Sequence, residues 1–144
     1  MIIEPIKESD FEELISLFFE FASFEKMPHK MINSVKQMQE EKAFFHGFVA
    51  RDEDGKIVGY VTYFFAYYTW TGKSLYMDDL YVQHDFRGKG IGTKLIKEVI
   101  SYAKEKNCNG LRWQVSEWNG PAIKFYENLG AVINPIERNC DMIF

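Results

Sequence analysis

Arg87-Gly88-Lys89-Gly90-Ile91-Gly92 is the stretch that decides the fold. It follows an apolar run, Leu80-Tyr81-Val82, and opens directly into a segment of helical periodicity. Glycines at alternate positions let a backbone turn tightly and lie against a ligand with no Cβ atoms in the way. Amides freed at the start of the helix, with the helix dipole behind them, form an anion site. Arg87 and Lys89 add positive charge. A nucleotide or coenzyme pyrophosphate suits such a loop, and a tight turn that binds nothing is the plainer alternative. Two other phosphate loops fit less well. A Walker loop ends in Gly-Lys-Ser/Thr, whereas Thr93 here follows Gly92 with no lysine between. A dinucleotide fingerprint carries an acid about 20 residues further on, and Asn107 to Leu111 offers none.

Working outward, the spacing predicts a helix from Gly90 to about Lys106. Ile91, Leu95, Ile96, Val99, Ile100 and Ala103 form its apolar stripe, while Lys94, Lys97, Glu98, Lys104 and Glu105 face water. Upstream, Phe44–Arg51, Lys56–Tyr68 and Ser74–Val82 read as strands of an antiparallel meander, with Asp54-Gly55 as a hairpin signal. Ile2–Ile6 reads as a first strand. Ser9 or Asp10 caps a helix whose apolar face is Phe11, Leu14, Ile15, Phe18, Phe19 and Ala22, and a second helix is expected over Met31–Lys42. Downstream come a strand over Leu111–Ser116 and a helix capped by Asn119, with Pro121 in its first turn and Gly130 at its end. Ala131–Ile136 and Cys140–Phe144 suggest a closing hairpin. Antiparallel strands followed by strands joined through helices define an α/β fold, a mixed sheet with helices on both faces. With no repeat or linker, residues 1–144 are expected to form a single domain.

Composition narrows the function. A chain of 144 residues that is 47% hydrophobic can bury a real core. A net charge of -4 leaves no basic stripe for nucleic acid. Apolar runs are too short to cross a membrane, and the acidic start, Glu4, Glu8 and Asp10, shows no signal-peptide pattern. A cytoplasmic protein is the expectation. Cys108 and Cys140 make no ligand spacing, and His29, His46 and His84 show no metal motif, so no metal is expected. Asp78 and Asp79 stand out, since acids are unusual in an otherwise apolar strand. Strand alternation points them to opposite sides and predicts separate jobs.

Arg87, Gly90 and Gly92 fit the Arg/Gln-x-x-Gly-x-Gly/Ala pattern, and that loop resembles the acetyl-coenzyme A loop of the Gcn5-related N-acetyltransferase (GNAT) superfamily. Leu75-Tyr76-Met77-Asp78-Asp79-Leu80-Tyr81-Val82 upstream, and Trp113 through Tyr126 with Leu129-Gly130-Ala131 downstream, resemble its diamine (spermidine/spermine) and thialysine branch. The resemblance implies a mostly antiparallel sheet splayed at the cofactor, with acetyl-coenzyme A as cosubstrate. Its implied contacts are Val82 with pantetheine, Arg87, Gly88, Lys89, Gly90, Ile91, Gly92 and Thr93 with the pyrophosphate, and Asn119 and Tyr126 at the thioester end. Tyr126 is implied as the acid that protonates the leaving thiolate. Asp78 is implied in binding and deprotonating the amine, with Asp79 and Trp70 as further substrate contacts. A small cationic amine, a polyamine or a thialysine-like amino acid, is the implied acceptor. A protein or peptide amine is the alternative, and a non-catalytic coenzyme-binding regulator is a third reading. A homodimer is implied as well. The chain departs from the diamine enzymes where Tyr68-Thr69 replaces their Asp-Pro before the tryptophan, and where Asn139–Phe144 lacks their Gly-Trp pair.

Overall fold

A computed structural model describes residues 1–144. The chain forms two compact units, Met1–Trp113 and Gln114–Phe144.

The first unit is built on a five-stranded sheet in the order β1-β2-β3-β4-β5. Its strands are β1 (Ile2–Pro5), β2 (His46–Arg51), β3 (Ile57–Tyr68), β4 (Gly72–Val82) and β5 (Leu111–Arg112). The first four pair antiparallel, and β5 joins β4 in parallel. The meander read from the sequence is therefore present. A parallel partner for β4 needs a crossover, which α3 (Ile91–Glu105) supplies.

Helices cover both faces of the sheet. Tyr60 and Tyr63 lie an odd number of residues apart on β3, so they point to opposite sides. Phe18 of α1 (Phe11–Phe24) meets Tyr60 edge-on with ring centroids 5.0 Å apart, and Tyr102 of α3 lies 5.3 Å from Tyr63. On the α1 side, Leu14, Leu17, Met38, Tyr60 and Tyr81 form one buried cluster. On the other side, the α3 stripe of Ile91, Leu95, Ile96, Val99 and Ala103 is buried as its spacing predicted. Polar ties fix α1 to the sheet. The Arg51 guanidinium bridges Glu4 at 2.7 Å and the buried Asp10 at 2.5 Å, and the Ile57 amide donates to Glu13 at 3.0 Å.

Three expected elements differ. The helix expected over Met31–Lys42 shrinks to α2, Val35–Glu40. Ser34 Oγ accepts from the Gln37 amide at 3.1 Å, and the Ser34 amide donates to Asn33 Oδ1 at 2.8 Å, so side chains stop the helix from extending upstream. The strand expected over Leu111–Ser116 is two residues long, because its ladder with β4 involves only Leu75 and Tyr76. The closing hairpin is absent, and residues 131–144 hold no strand. Asn134 Oδ1 accepts from the Ile136 amide at 2.9 Å around Pro135, a local turn that competes with strand pairing.

In the second unit, Asn119 Oδ1 caps α4 (Gly120–Asn128) by accepting from the Ala122 amide at 3.2 Å. The helix ends in a Schellman motif, with Ala131 donating to the Tyr126 carbonyl at 3.1 Å and Gly130 to Glu127 at 2.9 Å.

Candidate active site

The short β5 leaves an open edge. β4 has a strand partner on that side only at Leu75 and Tyr76, so from Met77 to Val82 it has none. The Gln83 amide donates to the Val58 carbonyl at 2.9 Å, which makes Val58 and Gln83 a hydrogen-bonded pair. Gly59–Val82 and Val61–Leu80 are then the alternate, non-bonded pairs of the ladder. The backbone groups of Leu80 and Val82 accordingly point away from β3 toward the open edge. A linear amide-bearing molecule can dock there as a strand would.

At the end of β4, a 3-10 turn (His84–Phe86) leads into the glycine loop. Gly88 and Gly90 have φ of 76° and 81°, in the left-handed region that favours glycine. The first bond closing α3 runs from the Lys94 amide to the Gly90 carbonyl at 3.1 Å. The amides of Ile91, Gly92 and Thr93 thus have no acceptor within the helix, and those of Gly88, Lys89 and Gly90 have no backbone acceptor. Six consecutive amides, Gly88 to Thr93, are therefore left without a backbone acceptor at the end of β4. A pyrophosphate fits this donor set, and a pantetheine arm fits the open β4 edge beside it.

Arg87 departs from its simplest role. Its Nε donates to the Val82 carbonyl at 2.8 Å, and its guanidinium lies 4.7 Å from the Phe24 ring centroid and 5.5 Å from that of Tyr81. The side chain ties the loop to β4 and α1, and it occupies one lone pair of the Val82 carbonyl.

The acid pair sits in a β-bulge. Thr62 pairs with Asp79 and Tyr63 with Met77, which leaves Asp78 as the extra residue of β4. The bulge breaks the strand alternation that was expected to point the two acids to opposite sides. Tyr60 Oη donates to Asp79 Oδ2 at 3.1 Å, and the Asp79 amide donates to Thr62 Oγ1 at 3.3 Å. Burial, then the charge and hydrogen bond of Asp79, then the charge of Asp78 hold the Tyr60 pKa well above that of a free phenol. Burial and the Asp78 charge push the Asp79 carboxyl up to about 7, against the Tyr60 hydrogen bond, which pulls it down. Asp78 reaches solvent, yet the protein packed around it displaces enough water to raise its pKa. It has no hydrogen bond or ion pair, so a carboxylate stands unpartnered beside the open edge of β4.

Neither Tyr60 nor the bulge was read from the sequence. An aromatic residue in an apolar strand carries no signal of its partner, and a bulge depends on the register between two strands. Trp70 is 97% exposed at the β3–β4 turn, and six residues of strand, about 20 Å, separate Gly72 from Asp78. The structure does not bring Trp70 and Asp78 together. In the second unit, Asn119 serves as helix cap and Tyr126 is buried on α4, its ring 5.4 Å from that of Phe125. No group of three His, Cys, Asp or Glu side chains is placed to hold a metal.

Residues 9–131 match the acetyltransferase (GNAT) family, and the chain belongs to it. Thialysine N-epsilon-acetyltransferase from Mus musculus is 38% identical over 140 residues, covering 90% of this chain and 82% of its own. Spermidine/spermine N(1)-acetyltransferase-like protein 1 from Homo sapiens is 31% identical over 140 residues, 90% of this chain but 20% of its own. Among solved structures, an aminoglycoside acetyltransferase from an uncultured soil metagenomic sample superimposes with a TM-score of 0.83 at 25% identity, covering 99% of this chain and 96% of that one. The mixed sheet with flanking helices is the acyl-coenzyme A fold of this family.

Proposed function

We propose that the protein transfers an acetyl group from acetyl-coenzyme A to a primary amine of a small cationic molecule, a polyamine or a thialysine-like amino acid. The observation that carries this reading is the unpartnered Asp78 carboxylate in the bulge of β4, beside the edge left open by β5. Acetyl-coenzyme A, when bound, supplies an activated thioester. The amides of Gly88 to Thr93 hold its pyrophosphate, with Lys89 near them, and the outward groups of Leu80 and Val82 hold its amide-bearing arm. Asp78 attracts the ammonium form of the acceptor and takes its proton, directly or through water, so that a neutral amine attacks the carbonyl. Asp79 shares the negative charge of the pair. The family resemblance assigns to the Tyr126 hydroxyl the proton given to the departing sulfur, and to Asn119 a contact with the coenzyme. Names of the relatives support the amine class, and the pairing of a cation with two carboxylates supports it physically.

Mass spectrometry after incubation with acetyl-coenzyme A and separate panels of small amines and peptides tests the reading. Acetylated small amines are the expected products. Acetylation of peptides alone would replace it with protein acetylation, and coenzyme binding without any product would replace it with a regulatory role.

A further inference from the structure

The sheet face that carries Asp78 also carries an unpaired cation. Arg112 of β5 lies in register with Tyr76 of β4, so both side chains leave the sheet on the same side. The Arg112 guanidinium stands 4.2 Å from the centroid of the Tyr68 ring, is exposed, and has no carboxylate within ion-pair distance. Tyr76 lies between the two charges and stacks on Phe64, with centroids 5.2 Å apart. Burial raises the Tyr76 pKa, the Asp78 charge raises it further, and Arg112 opposes them, so its hydroxyl senses both. The face therefore presents an aromatic floor of Phe64, Tyr76 and Tyr68 with a free carboxylate at one end and a free guanidinium at the other. Two residues along β4 and one strand across separate the two backbone positions by about 8 Å, and the Arg112 side chain runs from there toward Tyr68, the partner of Gly72, so the guanidinium lies farther from Asp78 than the backbones do.

A polyamine has cationic groups at both ends, and Arg112 repels the far one. A diamino acid of lysine length has a distal amine for Asp78 and a carboxylate for Arg112, whose planar fork matches a carboxylate in a bidentate way. We propose that Arg112 is a specificity residue that binds the carboxylate of a diamino-acid acceptor while Asp78 holds its distal amine. This rests on the acetyl-transfer reading above and narrows its acceptor class.

The test compares L-lysine with cadaverine, its decarboxylated analogue, as acceptors at saturating acetyl-coenzyme A, for the wild type, Arg112→Gln and Arg112→Lys. The wild type is expected to favour lysine in kcat/KM. Arg112→Gln should lower kcat/KM for lysine about 10- to 100-fold, mainly through KM, as for loss of a charge-assisted hydrogen bond. The loss for cadaverine should be at least tenfold smaller, and Arg112→Lys should restore part of the lysine activity. A wild-type preference for cadaverine, or equal losses on both acceptors in a variant whose melting temperature is unchanged, would overturn the role of Arg112 and leave small-amine acetylation standing. Acetylation of neither acceptor nor of any other small amine would overturn both.

Discussion

Tyr60 Oη donates to Asp79 Oδ2 at 3.1 Å, from a side chain with no exposed surface. The hydrogen bond favours the charged carboxylate, while burial, Asp78 and Glu25 at the end of α1 favour the neutral acid. Tyr60→Phe removes only the hydroxyl, so the Asp79 titration should move upward from about 7. Carboxyl carbon shifts followed by NMR across pH would show it. A midpoint that stays in place or falls would mean that the hydroxyl does not stabilise the charge.

The same carboxyl makes stability depend on pH. Its folded-state value, about 7, lies above the ordinary 3.8, so folding favours the protonated form. That contribution is complete below the unfolded value and is lost as pH rises through the folded one. Asp79→Asn should therefore gain in melting temperature relative to the wild type at pH 8 compared with pH 5. A difference between the two proteins that is the same at both pH values would exclude Asp79 as the source.

Asp78→Asn should impair amine acetylation more at low pH than at high pH. Alkyl amines are mostly protonated near neutrality, and more of the reactive neutral form is present as pH rises. The pH profile of turnover at saturating amine is the measurement. An equal defect throughout, with coenzyme binding intact, would assign Asp78 to attracting the cation and not to moving its proton.

Gly90→Ala should weaken coenzyme affinity more than amine affinity. No atom stands within 4 Å of the added Cβ, but φ is 81°, where an alanine is strained by about 1 kcal/mol or more. Relief of that strain turns the loop amides away from the anion. Calorimetry on the folded variant would detect the loss, and unchanged coenzyme affinity would count against the site.

Tyr126→Phe should cut turnover by about 10²-fold while sparing coenzyme binding, because it deletes a proton donor and keeps the ring. Wild-type turnover under conditions where chemistry limits the rate would remove Tyr126 from the mechanism.

A homodimer is also proposed, on the exposed Phe65, Tyr67 and Trp70 of the β3–β4 hairpin, which are 42%, 78% and 97% accessible. Sedimentation across a range of concentrations is expected to show it, and a monomer at every concentration would refute it.

Local pattern determined much of this protein from sequence alone. The spacing of Ile91, Leu95, Ile96 and Val99 specified α3 and its buried face, and Asp54-Gly55 specified the turn between β2 and β3. The glycines of the Arg87–Gly92 loop announced a tight turn with free amides, because the positive φ of Gly88 and Gly90 is a property of a short segment. Asn119 was legible as a cap for the same reason. What the sequence left open depended on pairing between distant segments. Asp78 and Asp79 alternate on paper, but the register of β3 against β4 makes Asp78 the extra residue of a bulge and couples the two acids. Tyr60 becomes a donor to Asp79, and Arg112 a cation beside Tyr76, only once the strands lie side by side. The closing hairpin failed for the converse reason, since Asn134 satisfied its own local turn where no strand ladder formed. Periodicity and turn chemistry act over a few residues and can be read along the chain, whereas register, burial and charge proximity are fixed by contacts that only the folded sheet creates.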